Sequence, residues 1–311
     1  MKNTKKASLT AKQFVTILIS LVGFIIVLFL FSRFNWQGEV DEQACHESVV
    51  FRGTMPDNKV FSGKELIPLN CKTKDVCISL DNDGDCENLG KDFNTIRING
   101  NDDEKIKQQI KSALSQEMAD CWGMMGEGKL QLFSRELKTQ NVNSKAFICS
   151  IVEFDNSVKD RVDEVEGIEE YMLRYKAKDM EESYLEYITG RNQEMILDQQ
   201  KKIEANTDSE FLGVVINTKE LYSPIYIEGD QTYFKDATKS GAIGAGAAII
   251  LVAITPVGWV AGAGIGVGAG LINYFGWTKP EQHTTANIIV LSEYSAKDIS
   301  KYKIDEFAGI T

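Results

Sequence analysis

Apolar residues return at helical spacing along one segment. Ile106, Ile110, Leu114 and Met118, with Cys121 and Trp122, form a stripe that follows Asp102-Asp103-Glu104 and stops before Gly123. Acids at the start, a 3.6-residue period and a terminal glycine predict an amphipathic helix over residues 103–122. Alternating or β-rich runs at 47–52, 76–80, 95–99, 146–154, 211–217 and 287–294 predict strands. Further helices are predicted at 158–174, 180–188 and 191–205. Strands and helices do not alternate regularly, so the expected fold class is α+β.

Two stretches break this pattern because they carry no charge. The first, 13–32, would span about 30 Å as a helix, the hydrocarbon thickness of a bilayer. Lys2, Lys5, Lys6 and Lys12 precede it and Arg33 follows, which places residues 1–12 in the cytoplasm and the bulk of the chain outside. The run is longer than a signal-peptide core and lacks a small-residue cleavage site, so an uncleaved anchor over 13–34 is expected.

The second stretch, 240–278, is rich in glycine and broken at Pro256-Val257-Gly258. Gly258, Gly262, Gly266 and Gly270 recur every four residues, a spacing that lets membrane helices pack closely. It predicts a hydrophobic helical hairpin with both ends outside. A single long crossing that leaves 279–311 in the cytoplasm is the competing topology, and a soluble glycine-rich hairpin packed on the external domain is a third reading. The strand at 287–294 favours the first, since it can rejoin the external domain, with 211–217 as its expected partner. The expected plan is a basic segment 1–12, an anchor 13–34, an extracytoplasmic domain 38–239, the hairpin 240–278 and a tail 279–311.

Composition adds exclusions. Over 311 residues, 43% hydrophobic and 25% charged, the chain is neither disordered nor of low complexity. A net charge of -11 argues against a nucleic-acid partner. His46 and His283 are the two histidines, which leaves little room for imidazole chemistry or His-rich metal sites.

Cys45, Cys71, Cys77, Cys86, Cys121 and Cys149 all fall in the expected external domain, without a zinc-like spacing. An even number there reads as disulfides, with buried free thiols as the alternative. Fifteen pairings are open. The favoured set is Cys77 with Cys86 as a local clamp, Cys121 with Cys149 joining helix to strand, and Cys45 with Cys71.

The segment Met118-Ala119-Asp120-Cys121-Trp122-Gly123-Met124-Met125-Gly126-Glu127-Gly128-Lys129 and the later Phe147-Ile148-Cys149-Ser150-Ile151-Val152-Glu153-Phe154-Asp155 resemble a family of uncharacterised membrane-anchored proteins from small-genome archaea. Cys45-His46-Glu47-Ser48-Val49-Val50-Phe51-Arg52-Gly53 and Ser183-Tyr184-Leu185-Glu186-Tyr187-Ile188 fit the same family. The resemblance covers most of 12–311 and implies an N-terminal membrane helix with an external domain. It brings no activity and no catalytic residues.

Three patterns touch on chemistry. Asp81, Asp83, Asp85 and Asp92 partly match a calcium loop, but Cys86 stands where that loop needs glycine and Asp92 is shorter than the usual glutamate. An acidic hairpin tip is the alternative. Gly123–Lys129 contains Gly-x-x-Gly-x-Gly-Lys, yet it follows a helix and lacks the Ser or Thr of a phosphate loop, so a helix-ending turn is expected. His46 beside Cys45 reads as structural. The functional expectation is a membrane-anchored surface protein without catalysis or cofactor, whose hairpin serves membrane association, oligomer contact or perturbation of an apposed membrane. The alternative is an extracytoplasmic hydrolase using paired carboxylates, with calcium as its candidate cofactor.

Overall fold

A computed structural model describes residues 21–22, 36–55, 68–81, 84–100, 102–133, 136–137, 140–178, 180–190, 192–194, 196, 215–230, 233, 247–253, 285–301 and 304–308. The chain divides into two units, Met1–Glu42 and Gln43–Thr311. The described part of the first is the helical pair Leu21–Val22 and the opening of helix α1 (Trp36–Thr54), which runs on into the second. Among the described residues no helix is long and apolar enough to cross a membrane. Apart from Leu21 and Val22, the run 13–34 lies outside them.

The second unit is a mixed α/β structure around an eight-stranded sheet, closed by three disulfides. Strand β1 (Lys74–Ser79) pairs in parallel with β2 (Asn94–Arg97) and with β4 (Ser150–Phe154). Strand β3 (Ser144–Ile148) runs antiparallel to β7 (Tyr222–Asp230), which in turn pairs with β9 (Thr285–Glu293). A last strand, β8 (Ala247–Ala253), extends this edge beside β9, and β10 (Glu306–Phe307) lies parallel to β3. Strands β5 (Glu164–Glu166) and β6 (Val215–Asn217) form a separate pair.

Helix α2 (Asp103–Met124) covers one sheet face. Asp102 caps it by accepting from the Lys105 N–H at 2.8 Å, and Asp103 and Glu104 follow in its first turn. Its buried stripe packs on β7 and β9 and against two short helices, α4 (Ile168–Arg174) and α5 (Tyr184–Thr189). The core on this face holds Trp122, Phe133, Phe147, Phe154, Tyr222 and Tyr226. A smaller core on the other face joins Ile148, Ile225, Ile227, Ile288 and Val290, because alternate strand residues point to opposite sides. The one-turn helix α3 (Asn156–Lys159) and helix α6 (Ala296–Lys301) complete the elements.

The sequence pattern misplaced several elements. The expected strand 47–52 is the end of α1. Its buried residues in this part are Cys45, Ser48, Val49 and Arg52, at the i, i+3, i+4, i+7 spacing of a helix face, which the β-rich Val49-Val50-Phe51 hides. The expected helix 158–174 is instead α3, β5 and α4 in succession, with the left-handed Gly167 as the last break. The expected helix 180–188 is shorter and begins at the Ser183 capping box. Most of 191–205 lies outside the described residues.

The expected helical arm from 240 to 255 is a strand over Ala247–Ala253. Its β-branched and apolar residues satisfy their backbone groups by pairing with β9. The strand over Thr285–Glu293 pairs with Tyr222–Asp230, while the described part of 211–217 is β6, which pairs with β5. Both flanks of 254–284 thus sit on neighbouring antiparallel strands at one end of the sheet. A single crossing that puts 279–311 across a membrane from 38–239 does not fit this pairing.

The expected strand 146–154 is divided at Cys149, and the division explains how Pro224 fits inside a sheet. Cys149 donates its N–H to the Pro224 carbonyl at 3.0 Å. The return bond would need the N–H that proline lacks, and Lys74 supplies a donor to the Cys149 carbonyl at 2.9 Å instead. Thus β3 passes from its antiparallel partner to the parallel pairing of β4 with β1.

Candidate functional site

Residues 45–53, 118–129, 147–155 and 183–188 meet around the C-terminal end of α2 and the turn after it. Cys121 is bonded to Cys149 and ties α2 to the break between β3 and β4. His46 of α1 places Nδ1 3.3 Å from the Met124 carbonyl. Met125 and Gly126 donate to the Cys121 and Gly123 carbonyls, and Glu127 donates to that of Trp122 at 2.9 Å. Gly126, Glu127 and Gly128 all take positive φ, at 78°, 56° and 65°. Three left-handed residues in a row reverse the chain after the helix. The Gly-x-x-Gly-x-Gly-Lys stretch is accordingly a helix-ending turn.

Behind the turn lies a buried charged centre. Lys145, Glu228 and Asn287 are direct cross-strand neighbours on β3, β7 and β9. Glu228 Oε2 accepts from the N–H groups of Leu132 and Phe133 at 2.7 and 3.0 Å. Asn287 donates to the carbonyls of Gly128 and Leu130 at 2.9 and 3.2 Å. The turn is thereby held to the sheet by two side chains that read its backbone. Arg52 donates Nε to the Leu132 carbonyl at 3.0 Å and pairs with Glu136. Lys145 reaches Glu306 at 3.1 Å and Glu136 at 4.0 Å. Arg52 and Lys145 also lie over the Phe133 ring, at 5.8 and 5.7 Å from its centre. Burial first, and the nearby Glu228 carboxylate second, push the Tyr226 phenol well above its ordinary range. Glu136 and Glu306 meet cations, and Glu228 meets backbone donors. This chemistry fastens a loop.

The outer side of the same helix end is polar and aromatic. Gln116, Asp120, Gly123 and Glu127 lie three or four residues apart and face Tyr184 and Tyr187 of α5. The Tyr184 hydroxyl donates to Gln116 Oε1 at 3.0 Å, and Gln116 donates to Asp120 at 2.7 Å. The Tyr187 hydroxyl donates to Glu127 Oε1 at 3.4 Å. It can reach because Gly123 has no side chain, as a Cβ there would lie 2.8 Å from the Tyr187 oxygen. Burial, then the Glu127 charge, raise the Tyr187 phenol far above its usual range. Tyr171 stacks on Tyr175 with centroids 4.2 Å apart and lies 6.3 Å from Tyr184.

A further buried acid links α2 to the sheet. Glu117 is 3.4 Å from Lys74, which is the register partner of Ser150. Burial raises the Glu117 carboxyl above 4.5, and the Lys74 charge only partly offsets this. A raised acid favours the folded state in its protonated form. Its contribution is full below the unfolded value near 4.5 and is lost as pH rises through the higher folded value. The melting temperature of Glu117→Gln should therefore gain on that of the parent between pH 4 and pH 8. A gap that stays constant or reverses would show that the Lys74 pair outweighs the burial cost.

The other residues singled out by sequence are placed as follows. Cys45–Cys71, Cys77–Cys86 and Cys121–Cys149 are the three disulfides, and free cysteines are absent. Asp81, Asp85 and Asp92 are exposed on the connection between β1 and β2; Asp83 lies outside the described residues. Among the described residues no group of three or more His, Cys, Asp or Glu side chains is placed to hold a metal. Gly258, Gly262, Gly266 and Gly270 also lie outside them. Sequence reasoning missed Arg52, Glu136, Lys145 and Glu228. The available signal was a charge embedded in an apolar strand, as in Ile225-Tyr226-Ile227-Glu228.

No family model, curated protein or solved structure matches the chain.

Proposed function

We propose that the chain is a membrane-anchored extracytoplasmic surface protein without catalysis, of the kind found in the archaeal family it resembles. The observation that carries the reading is the pairing of all six cysteines, because disulfides persist in oxidising compartments. The uncharged run 13–32 behind four lysines supplies the anchor and its orientation. The apolar, glycine-striped run 254–284 connects two adjacent paired strands, β8 and β9. That run serves membrane association or contact with a second copy. The bonds of Glu136 to Arg52 and of Glu228 to backbone N–H groups support a binding role over hydrolysis.

Labelling of introduced cysteines tests the topology. Asp160→Cys and Ala296→Cys lie at exposed positions on either side of the 254–284 run. Both should react with a membrane-impermeant thiol reagent on intact cells. Lys5→Cys should react only after the membrane is opened. The reverse pattern would overturn the orientation, and opposite outcomes for Asp160→Cys and Ala296→Cys would overturn the hairpin.

A further inference from the structure

We propose that Lys145 and Asn287 join through a side-chain amide bond, formed within the folded chain with Glu228 as the proton carrier. The inference goes beyond the surface-protein reading and does not depend on it.

The sheet sets the three residues in line. Lys145 on β3, Glu228 on β7 and Asn287 on β9 are successive register partners, so their side chains share one face. That face also carries Phe147, Tyr226 and Ile289 in the larger core. Register partners stand about 5 Å apart, which puts the Lys145 and Asn287 Cα atoms about 10 Å apart. An extended lysine and an asparagine together span about that distance. Glu228 lies between them.

The row is dry. Lys145, Glu228 and Asn287 are 7%, 0% and 1% exposed. An amine, a carboxyl and a carboxamide each cost free energy to bury, so their gathering in one row calls for a reason. Among the described residues, Asn287 Oδ1 accepts no hydrogen bond and the Tyr226 hydroxyl has no partner. Buried polar groups almost always find partners. The Gly128 and Leu130 carbonyls pin Asn287 Nδ2 at 2.9 and 3.2 Å, which fixes Oδ1 on the other side of the carboxamide. The reacting carbon is thereby oriented, and its oxygen is open to a proton donor. Glu228, once protonated, is the adjacent donor.

Lys145 is held to one side. Its Nζ lies 3.1 Å from Glu306 on β10, the strand that flanks β3 away from β7. The Glu306 side chain is 42% exposed, so this pair is weak and releases the lysine toward β7. Glu136, at 4.0 Å, already pairs with Arg52.

The step balances without an outside reagent. Lys145 gives one proton to Glu228 and becomes a neutral amine, which in a dry core costs less than two charges. Nζ attacks Asn287 Cγ, forming the Nζ–Cγ bond while the carbonyl electrons move onto Oδ1. The carbonyl then re-forms and the Cγ–Nδ2 bond breaks. Glu228 returns the first proton to Nδ2, which leaves as ammonia, and takes a second from Nζ. The new amide keeps one N–H, and the ammonia carries the last proton away as ammonium. Nothing is oxidised or reduced. With water excluded, hydrolysis does not compete.

The intact mass of the full chain, purified in detergent and reduced, tests this. The parent should weigh about 17 Da less than its sequence requires, the mass of one ammonia. A protease digest should give a branched peptide that joins the Lys145 segment to the Asn287 segment. Lys145→Arg and Asn287→Ala should show their full sequence masses. So should Glu228→Gln, which keeps both reacting groups and lacks the proton carrier. Glu306→Gln only frees the lysine and should stay cross-linked. A folded parent at full sequence mass would overturn the proposal, whatever the variants do. So would a loss of ammonia that maps to other residues, or a cross-link that survives in Glu228→Gln.

Discussion

A chain with Cys121→Ala and Cys149→Ala unfolds more readily than the parent by about 3–4 kcal/mol, the chain-entropy value for a loop of this length. The two residues are 28 apart in sequence, and both are buried in the main core. At this domain size the loss lowers the melting temperature by roughly 10 °C. Losing Cys77–Cys86 costs less, because its loop closes over a separation of only 9. Cys121–Cys149 has a further role that the loop-length argument omits. It joins the end of α2 to the point where β3 gives way to β4, so its removal also loosens the turn at 125–133. Calorimetry of the two double variants, with the parent under reductant, gives the ranking. Equal losses for the two pairs, or an unchanged parent in strong reductant, would refute it.

Glu228→Ala is expected to destabilise the fold by about 3–5 kcal/mol, the range for removing one member of a buried charge constellation. The substitution leaves the N–H groups of Leu132 and Phe133 without their acceptor. Glu306→Ala provides the contrast. Its side chain is 42% exposed, and losing an ion pair so open to water costs less than about 1 kcal/mol. Chemical denaturation of the two variants measures the difference. Hydrogen exchange at Leu132 and Phe133 should accelerate in Glu228→Ala alone. Similar costs for both variants, or unchanged exchange at those amides, would remove Glu228 from its place as the fastener of the turn.

Much of this architecture was legible without coordinates. Helix α2 follows from Ile106, Ile110, Leu114 and Met118 and from the acids that open it, since amphipathic period and capping are local properties. Disulfide formation follows from an even cysteine count, and the three pairs are the favoured set, although sequence alone left fifteen pairings open. The turn at Gly123–Lys129 was also readable, because glycines after a helical stripe serve left-handed conformations.

What the sequence misread has a common cause. Residues 47–52 hold a short β-rich run, Val49-Val50-Phe51, yet belong to α1, since six residues cannot separate a strand from a helical period of 3.6. The strand Tyr222–Asp230 contains Pro224 and is buried on both faces, so it shows neither alternation nor an uninterrupted ladder. Its proline is tolerated only because Lys74, far away in sequence, bonds the Cys149 carbonyl in its place. Residues 247–253 are apolar enough for a membrane helix and become a strand because β9 offers a partner.

The charged centre shows the same division. Sequence by itself determined that Glu228, Lys145, Arg52 and Glu136 exist and that two of them sit in apolar runs. Tertiary structure decided that Lys145, Glu228 and Asn287 stand in one row and that Leu132 and Phe133 lie over it. Capping and amphipathic period act between residues a few positions apart, and a chain reveals them directly. Strand register and the neutralisation of buried charge act between residues tens to more than a hundred positions apart, and only the folded chain brings those partners together.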